Sequence, residues 1–255
     1  MTEQQINYGN WVPRNLLYLL FIISIIPAII TLFPIILIIK VILWVLAGIF
    51  FIFFIFMVYI YLAFAKNNGE LQNIMRVFVI EKLLWDGNGK ALDVGTGAGA
   101  LAIKLAKQFP KSEIWGIDYW GKGWNFSKKL CEKNALAEGV ADRTIFQKAS
   151  ASKLPFKDDQ FDAVVSNYVY HEVRDVKDKK DVIKESFRVL KKGGFFSLQD
   201  LFLHEKKFGE IENLKSTLKE WGIKEVNSFN PIDHMKMNRF LRNMFRNGLI
   251  LYGQK

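Results

Sequence analysis

Residues 92–106 read LDVGTGAGALAIKLA: an apolar run carrying one carboxylate, then three alternate glycines leading into a helix-like pattern. Glycines in a strand-to-helix turn let the backbone come close to a ligand, and the helix N-terminus favours negative charge. Gly95, Gly97 and Ala100 satisfy the spacing G-x-G-x-x-G/A, and Asp118 lies 23 residues after Gly95, near the position of a ribose-binding acid. Nicotinamide cofactors and S-adenosylmethionine (SAM) both set a ribose beside such an acid, so the glycines leave both open. Asp93 separates them. A carboxylate just before the first glycine repels a pyrophosphate and attracts a sulfonium and an ammonium group. The plainer readings are a turn-capping Asp93 and a solvated Asp118.

Further chemistry-bearing residues stand at later strand ends. SNYVYHEV sets Asn167, Tyr168 and His171 just past a buried run, and FFSLQD ends in Asp200. An unperturbed imidazole titrates near pH 6.5, which suits His171 as a general base, with Asp200 a second candidate. Each has an alternative as a helix cap or a partner of a nearby carbonyl. His204 is not set apart from a surface histidine. Trp120, Trp124 and Phe126 could line an apolar pocket, dip toward a membrane interface, or cover the adenine side of a cleft. No metal site is expected.

The elements that must position these groups alternate along the chain. ALDVG, EIWGID, RTIFQKA, FDAVVSN and GFFSLQD read as strands, interleaved with helices over 98–109, 126–138 and 177–190. A helix over 70–85 precedes them, DGNGK is a turn, and EVNSF with GLILYGQ reads as a final strand pair. The expected fold is α/β: a doubly wound, Rossmann-like, mostly parallel sheet with helices on both faces. Near the end, IDHMKMNRFLRNMFRNG is amphipathic and basic, which suits either a membrane surface or a helix burying its Met/Phe stripe on the sheet.

The start is of a different kind. Residues 16–39 and 41–65 are each long and apolar enough to cross a ~30 Å hydrocarbon core, and Pro27 and Pro34 are tolerated in membrane spans. Two transmembrane helices with a tight turn within 33–40 are expected, a re-entrant hairpin being the alternative. The division is then a tail over 1–14, a hairpin over 15–65 and an α/β domain over 66–255. Arg14 and Lys66 flank the hairpin and favour a cytoplasmic side for both termini and the domain. The chain has 35 Lys and Arg against 25 Asp and Glu, a net +10, nearly all of it beyond residue 65. Such a balance suits an anionic leaflet; no nucleic-acid motif accompanies it. Cys131, the one cysteine, excludes an intrachain disulfide. Oligomeric state is not legible.

Taken in order, LDVGTGAGALAIKLA, IWGIDYW, LPFKDDQFDAVVSNYVYHEV and VLKKGGFFSLQD resemble the motifs of class I SAM-dependent methyltransferases, most closely the subfamily of ubiquinone and menaquinone C-methyltransferases. The resemblance covers about residues 70–255. It implies that Asp93, Gly95 and Gly97, with Thr96 and Gly99 of the same turn, surround the methionyl end of SAM. It further implies that Asp118 accepts from the ribose hydroxyls, that Tyr119 lies against the adenine, and that Ala151 and Asn167 border the cofactor. Tyr168, His171 and Asp200 fall where the family's acceptor cleft opens. In one place the chain departs: Ser150 stands where the family commonly has an acid for the adenine amino group. The expected function is a membrane-anchored methyltransferase with a small apolar or lipid acceptor and the bilayer as partner. A nicotinamide-dependent oxidoreductase and a non-catalytic SAM-binding membrane protein are the alternatives.

Overall fold

The computed structural model describes residues 6–65, 69–121 and 125–255; Lys66 and Trp124 of the expectations above lie outside them. Two compact units result, one holding Gly9–Ile74, the other chiefly Met75–Gly121 and Phe126–Lys255 with the residues up to Tyr8.

In the first unit, α1 (Arg14–Ile30) and α2 (Leu37–Ala65) form an antiparallel hairpin. Phe21 meets Phe54 at 5.4 Å between ring centroids, Trp11 meets Phe64 at 5.4 Å, and Arg14 Nε donates to Tyr61 Oη at 3.0 Å. Ser24 and Thr31 donate to their own backbone carbonyls at Phe21 and Ala28, so the apolar helices carry few unmet polar groups. The break comes earlier than expected. Residues 31–36 separate the helices, because Pro34 lacks an N–H and pushes Phe33 out of the helical region. Lys40 therefore sits inside α2 rather than between two spans. Of the described helices, only α2, at 29 residues, is long and apolar enough to cross a membrane. The 17 residues of α1 rise only about 26 Å. The expectation of two full spans is thus met by one qualifying helix.

The second unit is built on a seven-stranded sheet in the order β3-β2-β1-β4-β5-β7-β6. Its strands are β1 (Gly89–Val94), β2 (Ser112–Asp118), β3 (Thr144–Lys148), β4 (Phe161–Asn167), β5 (Leu190–Asp200), β6 (Glu225–Phe229) and β7 (Leu249–Gln254). β1 to β5 run parallel, and β7 enters antiparallel between β5 and β6. Ala91–Val94 are buried on both faces, as a central parallel strand requires. One core cluster joins Leu92, Val94, Phe196 and Leu198 to Ile183 and Phe187; the other joins Ala91, Ile114 and Val165 to Leu101, Leu105 and Val79.

The helices are α3 (Glu70–Glu81), α4 (Ala100–Gln108), α5 (Lys128–Ala137), α6 (Lys179–Val189), α7 (Glu205–Phe208), α8 (Ile211–Glu220) and α9 (Arg239–Met244). α7 and α8 were not expected from the sequence. α6 passes directly into β5, so the VLKKGG stretch is mostly strand. Strand order reverses between β1 and β4, and at such a switch point the carboxyl ends of the strands open a ligand crevice.

Candidate active site

At the end of β1, Asp93 is 1% exposed, its Oδ2 accepting the Ala102 N–H at 3.1 Å. Burial away from water lifts its pKa to about 7. Gly95, Gly97 and Gly99 follow with φ of +78°, +59° and +82°, the left-handed values that glycine adopts without strain. A Cβ on Gly95 would also stand 2.2 Å from the Val169 side chain, so the turn admits nothing larger there. The N–H groups of Gly95 and Thr96 both donate to Ile117 O, tying the turn to β2. Asp118 closes it from the other side: Oδ2 accepts the Gly97 N–H at 2.9 Å and Oδ1 the Trp120 N–H at 2.8 Å. Burial raises its pKa too.

Across the switch point, His171 and Asp200 come together. His171 Nδ1 and Asp200 Oδ1 are 2.7 Å apart, and Asp200 is fully buried. Backbone N–H groups of Tyr170 (2.7 Å) and Leu201 (2.6 Å) donate to the same carboxylate and hold it in place. His171 Nε2 faces Glu172 Oε1 at 3.3 Å. Burial disfavours the imidazolium, but hydrogen bonds and charges from Asp200 and Glu172 outweigh it and lift the pKa to about 9. The imidazolium is therefore favoured well above the 6.5 of an unperturbed imidazole. Tyr168 adopts φ +58° and Trp120 φ +45°, costly for large side chains. Both sit immediately after strand ends of the crevice. Asn167 Oδ1, at the end of β4, is buried without a hydrogen-bond partner among the described residues.

Residues 92–198 match the family model described as a methyltransferase domain. Those residues carry a SAM-dependent methyltransferase domain. Over 120 residues it is 36% identical to the ubiquinone/menaquinone biosynthesis C-methyltransferase UbiE of Geotalea daltonii, covering 47% of this chain and 48% of that protein. Its counterpart in Desulfotalea psychrophila is 34% identical over 122 residues, 47% and 44% of the two chains. The chain thus spans about half the length of these curated relatives. Among solved structures, the [4+2]-cyclase SpnF gives a TM-score of 0.55 at 18% identity, covering 75% of this chain and 84% of that one. Geranyl diphosphate C-methyltransferase of Streptomyces coelicolor A3(2) gives 0.53 at 13%, covering 72% and 79%. At such identities the likeness is one of fold, and a cyclase among the neighbours illustrates that fold and reaction are separable. The nicotinamide reading is set aside.

Other parts of the methyltransferase domain were not foreseen. Ser150 and Ser152 both donate to Asp175 Oδ2, at 2.8 and 2.5 Å, and their hydrogen bonds hold that carboxyl below its usual range. An acid from the loop after β4 thus stands against the serine that replaces the family's acid. Only its place in the HEVRD stretch hinted at it. Ser150 lies just beyond β3, whose Lys148 pairs in register with Asp118. Tyr119 is 65% exposed there, with Lys148 Nζ 5.3 Å above its ring.

Arg76 of α3 is buried beside Asp93, and burial lowers its pKa to about 10. A lone arginine in the apolar run IMRVFVI was the available signal. Trp120 Nε1 donates to Gly97 O at 2.8 Å, so this aromatic covers the glycine turn rather than the solvent, and Phe126 lies 3.6 Å from where a Gly97 Cβ would be. Asn134 bridges Ala98 O and Asn7 O, drawing the first described residues onto the turn. His204 caps no helix by its side chain and joins none of these groups.

Proposed function

We propose that the protein is a membrane-anchored enzyme that moves a methyl group from SAM to a small apolar or lipid-soluble acceptor. The observation carrying this is that two buried groups of opposite charge, Asp93 at the end of β1 and Arg76 of α3, lie close enough to feel each other's charge, at the strand ends that also hold His171 and Asp200. A methionyl group has one ammonium and one carboxylate, and Asp93 and Arg76 supply one charge of each sign to meet them. Asn167 Oδ1, buried and unmatched, adds an acceptor at the same strand ends, so the donor set fits SAM.

In this reading Asp93 and Arg76 hold the methionyl end, with Gly95, Thr96, Gly97 and Gly99 lending backbone. Asp118 keeps acceptor capacity for the ribose hydroxyls, while Tyr119 and Ala151 border the adenine. Asp175 supplies the carboxylate that Ser150 lacks. When bound, SAM supplies an already activated methyl group for in-line displacement. The protein's own task is to orient the nucleophile, exclude water and handle a proton. Tyr168 and Trp120 wall the crevice, and Asp200 holds the His171 ring through Nδ1 while Nε2 stands against Glu172. Asp175→Asn should weaken SAM binding roughly tenfold, the loss of a charge-assisted hydrogen bond. Unchanged affinity by calorimetry would remove Asp175 from the cofactor site.

Anchoring rests on α2. Its outward face is apolar, with Ile52 72% and Leu37 76% exposed, a surface that water does not tolerate at this length. Its 29 residues rise about 44 Å, more than a bilayer core, while the shorter α1 returns the chain so that both ends share one side. Arg14 and Lys66 favour the cytoplasmic side. The similarity to enzymes of quinone biosynthesis supports a lipid-phase acceptor. Membranes containing the full-length protein, given methyl-labelled SAM, should yield label in the lipid extract. Label confined to volatile or aqueous products would turn the acceptor into a soluble small molecule. SAM binding without transfer to any fraction would favour the non-catalytic alternative.

A further inference from the structure

The basic segment near the end of the chain was left with two readings, and the structure separates them. No residue of α9 is fully buried, so the helix buries its stripe only in part. Phe240 is 37% exposed, with Leu241 and Met244 half-buried beside it. Arg239, Arg242 and Arg246 line an open groove with Ile232, Phe240 and Asn243, about 690 Å³ in volume and within the size range of small-molecule sites. Arg242 Nη2 donates to Ile232 O at 3.1 Å and meets Asp233 at 3.5 Å, which offsets one of the charges. The other two guanidinium groups have no carboxylate partner among the described residues. Three arginines around an apolar floor match a phosphate headgroup on an acyl stem more closely than they match a protein surface.

The segment that follows α9 reaches the active site. Phe245 packs on the Tyr168 ring at 5.9 Å between centroids, and Gly248 lies under the Tyr168 hydroxyl, where a Cβ would come within 2.5 Å. Asn247 O accepts the Leu203 N–H at 3.1 Å. A ligand seated on α9 is thus one residue layer from the wall of the acceptor crevice.

We propose that α9 and its groove form a docking surface for the headgroups of an anionic bilayer, separate from the apolar hairpin. Seating there turns the Tyr168 side of the crevice toward the lipid phase. The proposal stands on exposure, charge and packing in the α/β unit and holds whether or not the hairpin is the anchor.

The test is hydrogen exchange of residues 231–247 in the full-length protein, in nanodiscs of phosphatidylcholine alone and with phosphatidylglycerol added. Exchange should slow several-fold only where phosphatidylglycerol is present, and the effect should vanish at high salt. Each arginine removed should weaken docking about fivefold, so Arg239→Gln with Arg246→Gln should abolish most of the protection. Neither side chain is in the core, and unchanged exchange in β1 and β4 would verify the fold. Equal exchange in both lipids overturns the proposal. So does equal protection in detergent with inorganic phosphate alone, which would make the groove a site for free anions. If the chain stays out of the discs, the anchor reading fails, and the same comparison with discs added from outside still decides the docking.

Discussion

SAM affinity should climb about tenfold per pH unit up to about pH 7 and then level off, and Asp93→Asn should remove both the affinity and the slope. The reason lies in where Asp93 is held. Burial raises its pKa to about 7, so below that pH the free domain carries a proton on this carboxyl. A cationic ligand that needs the carboxylate must expel the proton, and its apparent affinity falls in proportion. The linkage has a second face. For an acid with a raised folded pKa, the contribution to stability is fully present below the unfolded value, near 3.9, and is lost as pH rises through about 7. The free domain is therefore weakened where the site is ready to bind, and ligand charge restores the balance. A hydrogen bond to a charged group is worth about 1.5–3 kcal/mol, so Asp93→Asn should lose roughly ten- to hundredfold in affinity at pH 8. Calorimetry at pH 5.5 and pH 8 on both proteins checks this. A flat profile in the natural protein, or an unchanged constant in the variant, would take Asp93 out of the cofactor site.

How far the sequence carried this site depends on the kind of signal. β4 and β6 were read with their observed bounds, because FDAVVSN and EVNSF are short β-rich runs closed by turn residues. The glycine turn was legible through residue types alone, since three left-handed positions in alternation demand glycine. The pairing of His171 with Asp200 was not. Both were named singly, but the parallel pairing of β4 with β5 that brings them within 2.7 Å is a contact across 29 residues. Asp175 was hidden for the same reason: it reaches Ser150 through folding across 25 residues. In the hairpin, composition fixed the apolar length but not where Pro34 would break it. Periodicity over 232–248 showed an amphipathic segment, of which only Arg239–Met244 forms an α-helix, and how its stripe divides between sheet and solvent is a tertiary matter, seen in exposed Phe240 beside half-buried Leu241 and Met244.

For His171 the consequence is a pH–rate profile that differs from that of an ordinary histidine. Asp200, fixed by backbone N–H groups, and Glu172 together hold the imidazolium up to about pH 9. The base form is therefore scarce at neutral pH, and kcat should rise with pH to an inflexion near 9. Glu172→Gln takes away the outer carboxylate, leaves the Asp200 bonds in place, and should move that inflexion toward neutrality. His171→Gln should cost about 10²–10⁴ in kcat, the range for a positioned general base, while SAM affinity stays within a few-fold. The same pair contributes stability that is fully present below pH 6.5, the unfolded value, and is lost as pH rises through about 9. Thermal unfolding should accordingly decline over that interval in the natural protein and flatten in His171→Gln. An undiminished kcat with the flattened stability profile would assign His171–Asp200 to holding the β4 and β5 ends together. A lost kcat with the inflexion near 9 would make the proton on Nε2 the quantity that the acceptor's chemistry depends on.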